Sequence, residues 1–174
     1  AGARGGGLLA GAYAPWPAKL VAALAPGPER LEPPRDTVFA DRDGRPLRHL
    51  PADAGVRGDW QPLARHPLRL VQAVLAAEDM RFREHAGVDP RAILRAALDN
   101  VTAGRVVSGA STITQQTVRL LEPRARTWAA KSWEALRALA LDRSLSKDQI
   151  LEQYLNRAPM PGTLRGMAAG SRHL

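Results

Sequence analysis

The chain has 174 residues, 45% of them hydrophobic, and a formal net charge of +8 at pH 7. This length supports one hydrophobic core with a small appendage, and it excludes two large domains. The sequence contains no cysteine, which excludes disulfides, thiol catalysis and cysteine-ligated zinc. Arginine supplies 22 of the 25 basic residues. A basic surface favours polyanionic partners and leaves nucleic acid, anionic lipid and pyrophosphate open.

The first 35 residues are predicted to be irregular. The apolar stretch at residues 8–25 is interrupted by Pro15 and Pro17, so it is too short and broken to span a bilayer. We expect residues 1–35 to follow a missing membrane anchor. Two alternatives remain open for residues 8–25, namely association with a membrane surface and a disordered terminus.

A β-hairpin is predicted over residues 36–50. Val38 and Phe39 precede the turn sequence Asp-Arg-Asp-Gly, and Leu47 follows it.

Helical spacing of apolar residues begins after Pro62, and it predicts a mainly α domain with short connections. Asp89, Thr112 and Ser146 have the side chains and the following residues expected of helix N-caps. The predicted helices cover residues 67–82, residues 89–104, residues 112–121, residues 127–143 and residues 146–158. The second helix is expected to turn an apolar face to the core, formed by Ile93, Leu94, Ala97, Leu98 and Val101.

Carboxylates are the best candidates for chemistry in this sequence. The four histidines lack the spacing of a metal site, and Ser111 lacks the Gly-x-Ser-x-Gly context of an activated nucleophile. No metal site is therefore certain. Glu78 falls on the apolar stripe of the first predicted helix, where partial burial would suit it to general acid or base catalysis. The alternative is a helix-end carboxylate that pairs with a neighbouring arginine such as Arg81.

Four segments resemble, in order, the motif series of glycosyltransferase family 51, the peptidoglycan glycosyltransferase domains of class A penicillin-binding proteins. They are EDMRFREHAGVD at residues 78–89, GASTITQQ at 109–116, KSWE at 131–134 and KDQILEQYLN at 147–156. The hairpin segment and the tail after Tyr154 resemble the C-type members of that class. The resemblance covers residues 36–174 and implies a lysozyme-like helical fold, here C-terminally truncated and without the transpeptidase domain.

The resemblance also implies an enzyme that polymerises lipid II into β-1,4-linked glycan strands by inverting transfer from a lipid pyrophosphate donor. Its partners would be lipid II, the growing glycan chain and the membrane surface, without nucleic acid. The catalytic domain would lie on the periplasmic side of the bacterial inner (cytoplasmic) membrane. No cofactor is required by this reading, although Mg²⁺ or Mn²⁺ at the pyrophosphate is compatible with it.

By resemblance, Glu78 is the general base, and Glu134 assists the pyrophosphate directly or through a divalent cation. Taken alone, Glu134 would be a surface residue paired with Arg137. The expected substrate-binding residues are Ser111, Thr112, Thr114, Gln115, Gln116, Arg119, Lys131 and Arg165. The expected structural support comes from Asp79, Phe82, His85, Asp89, Glu152, Tyr154 and Asn156. Ala130 departs from the family pattern, because many members place an arginine there.

Two other functions compete with this interpretation. A lysozyme-like or lytic transglycosylase would cleave glycan with a similar glutamate, but it would have no pyrophosphate for basic residues to stabilise. A non-catalytic basic module for anionic lipid or nucleic acid would need arginines gathered on one face, whereas here they are scattered over every predicted helix.

Overall fold

The computed structural model describes residues 17–33, 37–50, 57–58, 60–125, 127–160 and 164–168. The helices in these ranges are α1 (Ala18–Leu24), α2 (Pro28–Leu31), α3 (Leu68–Glu78), α4 (Pro90–Ala103), α5 (Ile113–Leu121), α6 (Trp128–Ser144) and α7 (Lys147–Arg157), with a 3₁₀ turn at Leu63–Arg65. The strands are β1 (Thr37–Ala40), β2 (Pro46–Leu50), β3 (Arg57–Gly58) and β4 (Leu164–Arg165). The mainly α architecture with a short hairpin, predicted from the sequence, is confirmed.

The hairpin pairs β1 with β2 in antiparallel register, with Thr37 opposite Leu50. In its turn, the Asp41 carboxylate accepts the backbone N–H groups of Asp43 and Arg45, both at 2.9 Å. Gly44 has a φ of +79°, in the left-handed region that glycine enters without steric penalty. The turn residues therefore set the hairpin locally, as the sequence predicted. The short strands β3 and β4 pair in parallel.

Side-chain caps begin the helices that carry the motif segments. The Asp89 carboxylate accepts the backbone N–H groups of Arg91 and Ala92 and so starts α4. Thr112 and Ser146 each form a reciprocal capping box, and these two boxes start α5 and α7. These starts agree with the sequence predictions to within a residue.

The core forms where α5 packs between α6 and α7 and where the turn after α3 closes over them. Its fully buried members include Phe82, Ile113, Leu141, Ile150, Leu151 and Leu155. The first residues of α5 are fixed in this core. The exposed side of the same helix faces α6 across a cleft.

The end of α3 differs from the prediction. The helix ends at Glu78 rather than continuing to Phe82, because Asp79 takes a non-helical backbone conformation with φ −163° and ψ 77°. Phe82 reaches the core from the turn that follows, with 1% of its surface exposed. The side chain of Glu78 is exposed, so the expected burial of this carboxylate on an apolar stripe is wrong.

The apolar face of α4 also differs from the prediction. Ala96 is the residue that α4 buries, whereas Leu94 is 63% exposed and Val101 is 79% exposed. Ile93, Ala97 and Leu98 are exposed as well. The expected core face of α4 is therefore wrong, because no described element covers that side of the helix.

The N-terminal segment contains regular structure where the sequence predicted none. Residues 17–33 include α1 and α2, and Leu24 is buried. Two side chains of α7 hold the end of α2: the Gln153 amide donates to Leu31 O at 3.0 Å, and Arg157 donates to Arg30 O at 2.8 Å.

Other expectations for the N-terminal segment cannot be compared with the structure, because residues 1–16 and 34–36 lie outside the described residues. This includes residues 8–16, which are half of the stretch expected at a membrane surface. No helix among the described residues is both long enough and apolar enough to cross a bilayer.

Candidate active site

A cleft of about 690 Å³ lies between α5 and α6, with α7 contributing to its wall. It brings together six of the residues predicted for the site, namely Ser111, Gln116, Arg119, Lys131, Glu134 and Tyr154. Five of these residues come from three of the four motif segments, and Arg119 lies three residues after the second segment. Motif segments that are far apart in the sequence therefore meet at one surface of the fold.

A second cavity of about 160 Å³ lies on the other side of Ser111, which lines both spaces. Its wall includes Glu78, Asp79, Arg81 and Asp89 from the first motif segment. Glu78 therefore stands where a small pocket meets the larger cleft.

Hydrogen bonds orient the exposed carboxylate of Glu78. The Gln116 side-chain amide donates to Glu78 Oε2 at 2.9 Å, and the Tyr154 hydroxyl donates to Gln116 Oε1 at 3.3 Å. Tyr154 is 5% exposed. Burial, reinforced by the negative charge of Glu78, raises the pKa of Tyr154 to about 12. Its hydroxyl therefore stays protonated and remains a donor at neutral pH.

The cationic part of the cleft is built around Glu134. Lys131 Nζ donates to Glu134 Oε1 and, at 2.9 Å, to Ser111 Oγ. Arg119 Nη1 lies 3.8 Å from Glu134 Oε2. Two cations and one carboxylate leave this group a net positive charge. The alternative pairing of Glu134 with Arg137 is wrong, since Arg137 instead contacts Glu122 at 2.6 Å.

Asp79 and His85 form a buried hydrogen-bonded pair next to the site. The buried Asp79 carboxylate faces His85 Nε2 at 3.0 and 3.1 Å and accepts the backbone N–H of Ile113 at 3.0 Å. Because a carboxylate only accepts, His85 Nε2 must carry the proton in this contact. These bonds join the end of α3 to the start of α5, so they set Glu78 relative to Gln116.

Asp89 serves as the cap of α4 and as an ion-pair partner of Arg81. Burial alone would raise the pKa of Asp89, but the hydrogen bond from Arg81 and those from the backbone N–H groups of Ala92 and Arg91 outweigh it. The pKa of Asp89 is therefore lowered from its ordinary value, and the carboxylate stays ionised.

Glu152 and Asn156 in the fourth motif segment make scaffold contacts. Glu152 accepts the backbone N–H of Leu63 at 2.8 Å, and Asn156 pairs with both backbone groups of Gln61 at 2.8 Å. These bonds fasten residues 60–63 to α7. Tyr154 is the member of this segment that reaches the cleft.

Four expected substrate-binding residues do not line the cleft, namely Thr112, Thr114, Gln115 and Arg165. Thr114 and Gln115 are 0% and 3% exposed, because the first turn of α5 is packed into the core and Gln115 is used by the capping box. Arg165 lies in β4 and forms a backbone bridge with Pro159, which lines the cleft, but Arg165 itself is not a lining residue. Thr112 lines the smaller pocket, although its hydroxyl is engaged by Gly87 O and by the cap.

An aromatic and charged group at the far end of the cleft was not predicted from the sequence. Trp133 lies between two guanidinium groups, with Arg124 at 5.5 Å and Arg137 at 5.9 Å from its ring centre. Glu122 pairs with Arg137, and Trp128 stands 90% exposed at the rim. The position of Trp133 inside the KSWE segment was the available signal.

The donor set fits a resident divalent cation poorly. No group of three or more histidine or acidic side chains capable of holding a metal occurs in the described part of the chain. The carboxylate expected to take part, Glu134, is already in contact with Arg119 and Lys131. Magnesium prefers several oxygen ligands, and two adjacent cations disfavour it.

Comparison with known proteins agrees with this geometry. The family described as Transglycosylase matches residues 43–174. Penicillin-binding protein 1C of Escherichia coli (strain K12) is 43% identical over 141 residues, which are 77% of this chain and 17% of that protein. Penicillin-binding protein 1B of Haemophilus influenzae is 47% identical over 96 residues, covering 55% of this chain and 12% of that protein.

A shorter relative is the biosynthetic peptidoglycan transglycosylase of Thiobacillus denitrificans, 39% identical over 140 residues, or 80% of this chain and 60% of that protein. The chain thus spans 60% of this relative's length and 17% of the penicillin-binding protein from Escherichia coli. Together with the helical fold and the cleft, these matches define a transglycosylase domain. The chain belongs to the transglycosylase family, as the motif series predicted.

Proposed function

We propose that this chain polymerises lipid II into β-1,4-linked glycan by inverting transfer from a lipid pyrophosphate donor. The observation that carries this proposal is the placement of an exposed, hydrogen-bonded Glu78 carboxylate beside a cleft that holds Arg119 and Lys131. A base and a cationic group on opposite sides of one reacting carbon are what the reaction requires.

In the proposed step, Glu78 takes the proton of the acceptor sugar hydroxyl. The hydroxyl oxygen then forms a bond to the anomeric carbon of the donor, and the bond from that carbon to the pyrophosphate oxygen breaks. Attack on the face opposite the leaving group inverts the anomeric configuration. The negative charge that develops on the departing pyrophosphate is received by Arg119 and Lys131, whose side chains are 45% and 39% exposed in the cleft.

Glu134 acts on the leaving group through these cations in our proposal. Its carboxylate contacts both Lys131 and Arg119. It therefore fixes the positions of these two cations without itself contacting the phosphates. We infer that Arg119 and Lys131 supply the positive charge at the pyrophosphate, since the described residues offer no suitable ligand set for the divalent cation considered from the sequence.

The setting of the reaction is proposed from the chemistry of the substrate and the surface of the domain. A lipid-linked donor requires a domain that works at a membrane surface, which for peptidoglycan lies on the periplasmic side of the bacterial inner membrane. The exposed apolar side chains of α4 and the exposed Trp128 near the cleft support this placement.

The test is polymerisation of purified lipid II by the wild type and by Glu78→Gln, with glycan products separated on a gel. The amide keeps the size of the side chain but cannot accept the proton, so we expect turnover to fall by about two to four orders of magnitude. Glu84→Gln removes an exposed carboxylate from the same turn region and should keep near wild-type turnover.

The products distinguish the alternatives. Long glycan strands from lipid II support the polymerase, whereas shortening of preformed glycan would support a lytic enzyme. Near wild-type polymerisation by a folded Glu78→Gln protein would refute the assignment of the base.

A further inference from the structure

Two hydrogen bonds link Tyr154 to the proposed base, Glu78, through the side chain of Gln116. The two bonds are Tyr154 Oη to Gln116 Oε1 at 3.3 Å and Gln116 Nε2 to Glu78 Oε2 at 2.9 Å. An ionised carboxylate only accepts hydrogen bonds, so the Gln116 –NH₂ must face Glu78. Its carbonyl then faces Tyr154, and the phenol must be the donor in that contact.

The side chain of Tyr154 is fixed by packing, whereas the amide of Gln116 can turn unless a partner holds it. Tyr154 is 5% exposed and stands on α7 beside Leu151 and Leu155, which are fully buried. A glutamine amide can turn by 180° about its last torsion, which exchanges its carbonyl for its –NH₂. A turned Gln116 would present a carbonyl to Glu78, and two acceptors would then face each other unless the carboxyl group became protonated.

We propose that Tyr154 is a positioning residue that locks the amide of Gln116, so that its –NH₂ keeps donating to the Glu78 carboxylate and holds that carboxylate in one orientation. The inference rests on the proposed function only in giving that carboxylate a role in catalysis. The hydrogen-bonded arrangement stands independently of any reaction.

Other charged groups around Glu78 are unchanged by a substitution at Tyr154. They come from the turn after α3, from α4 and from α5, and they are Asp79, Arg81, Asp89, Arg95 and Arg119. Removing the Tyr154 hydroxyl therefore isolates the contribution that passes through Gln116.

The decisive measurement is a ¹³C NMR titration of glutamate side-chain carboxyls, with the Glu78 signal identified by its loss in Glu78→Gln. In Tyr154→Phe the aromatic ring stays and only the hydroxyl is lost. We expect the Glu78 titration midpoint to move to higher pH by about 0.5–1 unit, because an ordered donor to the ionised form has been lost. Gln116→Leu should move the midpoint in the same direction, and the double variant should move it no further.

Turnover provides the second readout. If Glu78 is the base, the acid limb of the kcat profile should move with the NMR midpoint, while KM for lipid II changes little. Thr117→Val is the matched control, because it removes a buried α5 hydroxyl that bonds within its own helix to Ile113 O at 2.9 Å. That variant should leave the midpoint where it is.

The outcomes separate the two proposals. A Glu78 midpoint in Tyr154→Phe equal to that of the wild type would overturn the positioning role, whatever the activity. A shifted midpoint in a protein that makes no glycan from lipid II would support the positioning role and reject the proposed function. Equal shifts in Tyr154→Phe and Thr117→Val would also overturn it, since a general loosening of the core would then account for the effect.

Discussion

Replacing Asp79 with asparagine should destabilise the fold strongly, although the two side chains have nearly the same size. The carboxylate is 4% exposed and receives two donors, His85 Nε2–H and the backbone N–H of Ile113. An asparagine with its oxygen in the place of Oδ2 could still accept from Ile113, but its –NH₂ would then take the place of Oδ1 and face the N–H of His85 at 3.1 Å. His85 cannot resolve the conflict by moving its proton, because its Nδ1 is buried and has no hydrogen-bond partner among the described residues.

The magnitude follows from the bonds that are lost. A hydrogen bond to a charged group contributes about 1.5–3 kcal/mol, and a buried donor left without an acceptor costs about 1–3 kcal/mol. With some relaxation of the turn after α3, we expect Asp79→Asn to lower the free energy of unfolding by about 2–4 kcal/mol.

Urea denaturation followed by circular dichroism measures this difference directly. Asp148→Asn is the matched control, because Asp148 is 63% exposed and pairs with Arg83, which is 55% exposed. The control should change stability by less than about 0.5 kcal/mol. If Asp79→Asn were no more destabilising than Asp148→Asn, the role of Asp79 in joining α3 to α5 would be refuted.

Two further predictions concern the backbone and the cationic cleft. Gly87 has a φ of +89°, and a Cβ there would lie 2.4 Å from Ala138 O, so Gly87→Ala should cost about 2–4 kcal/mol in urea denaturation. Gly104→Ala, with a φ of +62° and open space around the new Cβ, should cost about 1 kcal/mol, and equal losses would contradict the close approach. Replacing Arg119 and Lys131 together with alanine should weaken donor binding about tenfold or more and flatten its dependence on salt. Unchanged donor binding with the same salt slope would show that these side chains do not hold the pyrophosphate.

The parts of the fold that could be predicted from the sequence are those set by neighbouring residues. The caps at Asp89, Thr112 and Ser146 depend on groups within three positions along the chain, so each helix start was readable. The hairpin turn around Asp41 is likewise closed by its own carboxylate and by Gly44.

The parts that could not be predicted depend on contacts between distant segments. The end of α3 is set by the bond from Ile113 N–H to Asp79, and the end of α2 is held by Arg157, 127 residues away from Arg30. Apolar spacing identified one face of α4 correctly as apolar, but spacing carries no information about which element covers a face. Local sequence pattern therefore could not predict the N-terminal helices or the exposure of this face of α4.

The position of Glu78 shows why burial was a poor guide to the proposed base. Successive residues of a helix point about 100° apart, so neighbours in a motif are directed to different environments. Gln115 is buried in the cap of α5 while Gln116 faces the cleft, and Asp79 is buried beneath the turn while Glu78 is exposed. A base must meet its substrate and then release the proton to solvent, which a buried carboxylate does badly. In this site the buried neighbour Asp79 supplies the fixed position, and the hydrogen bond from Gln116 orients the exposed carboxylate of Glu78.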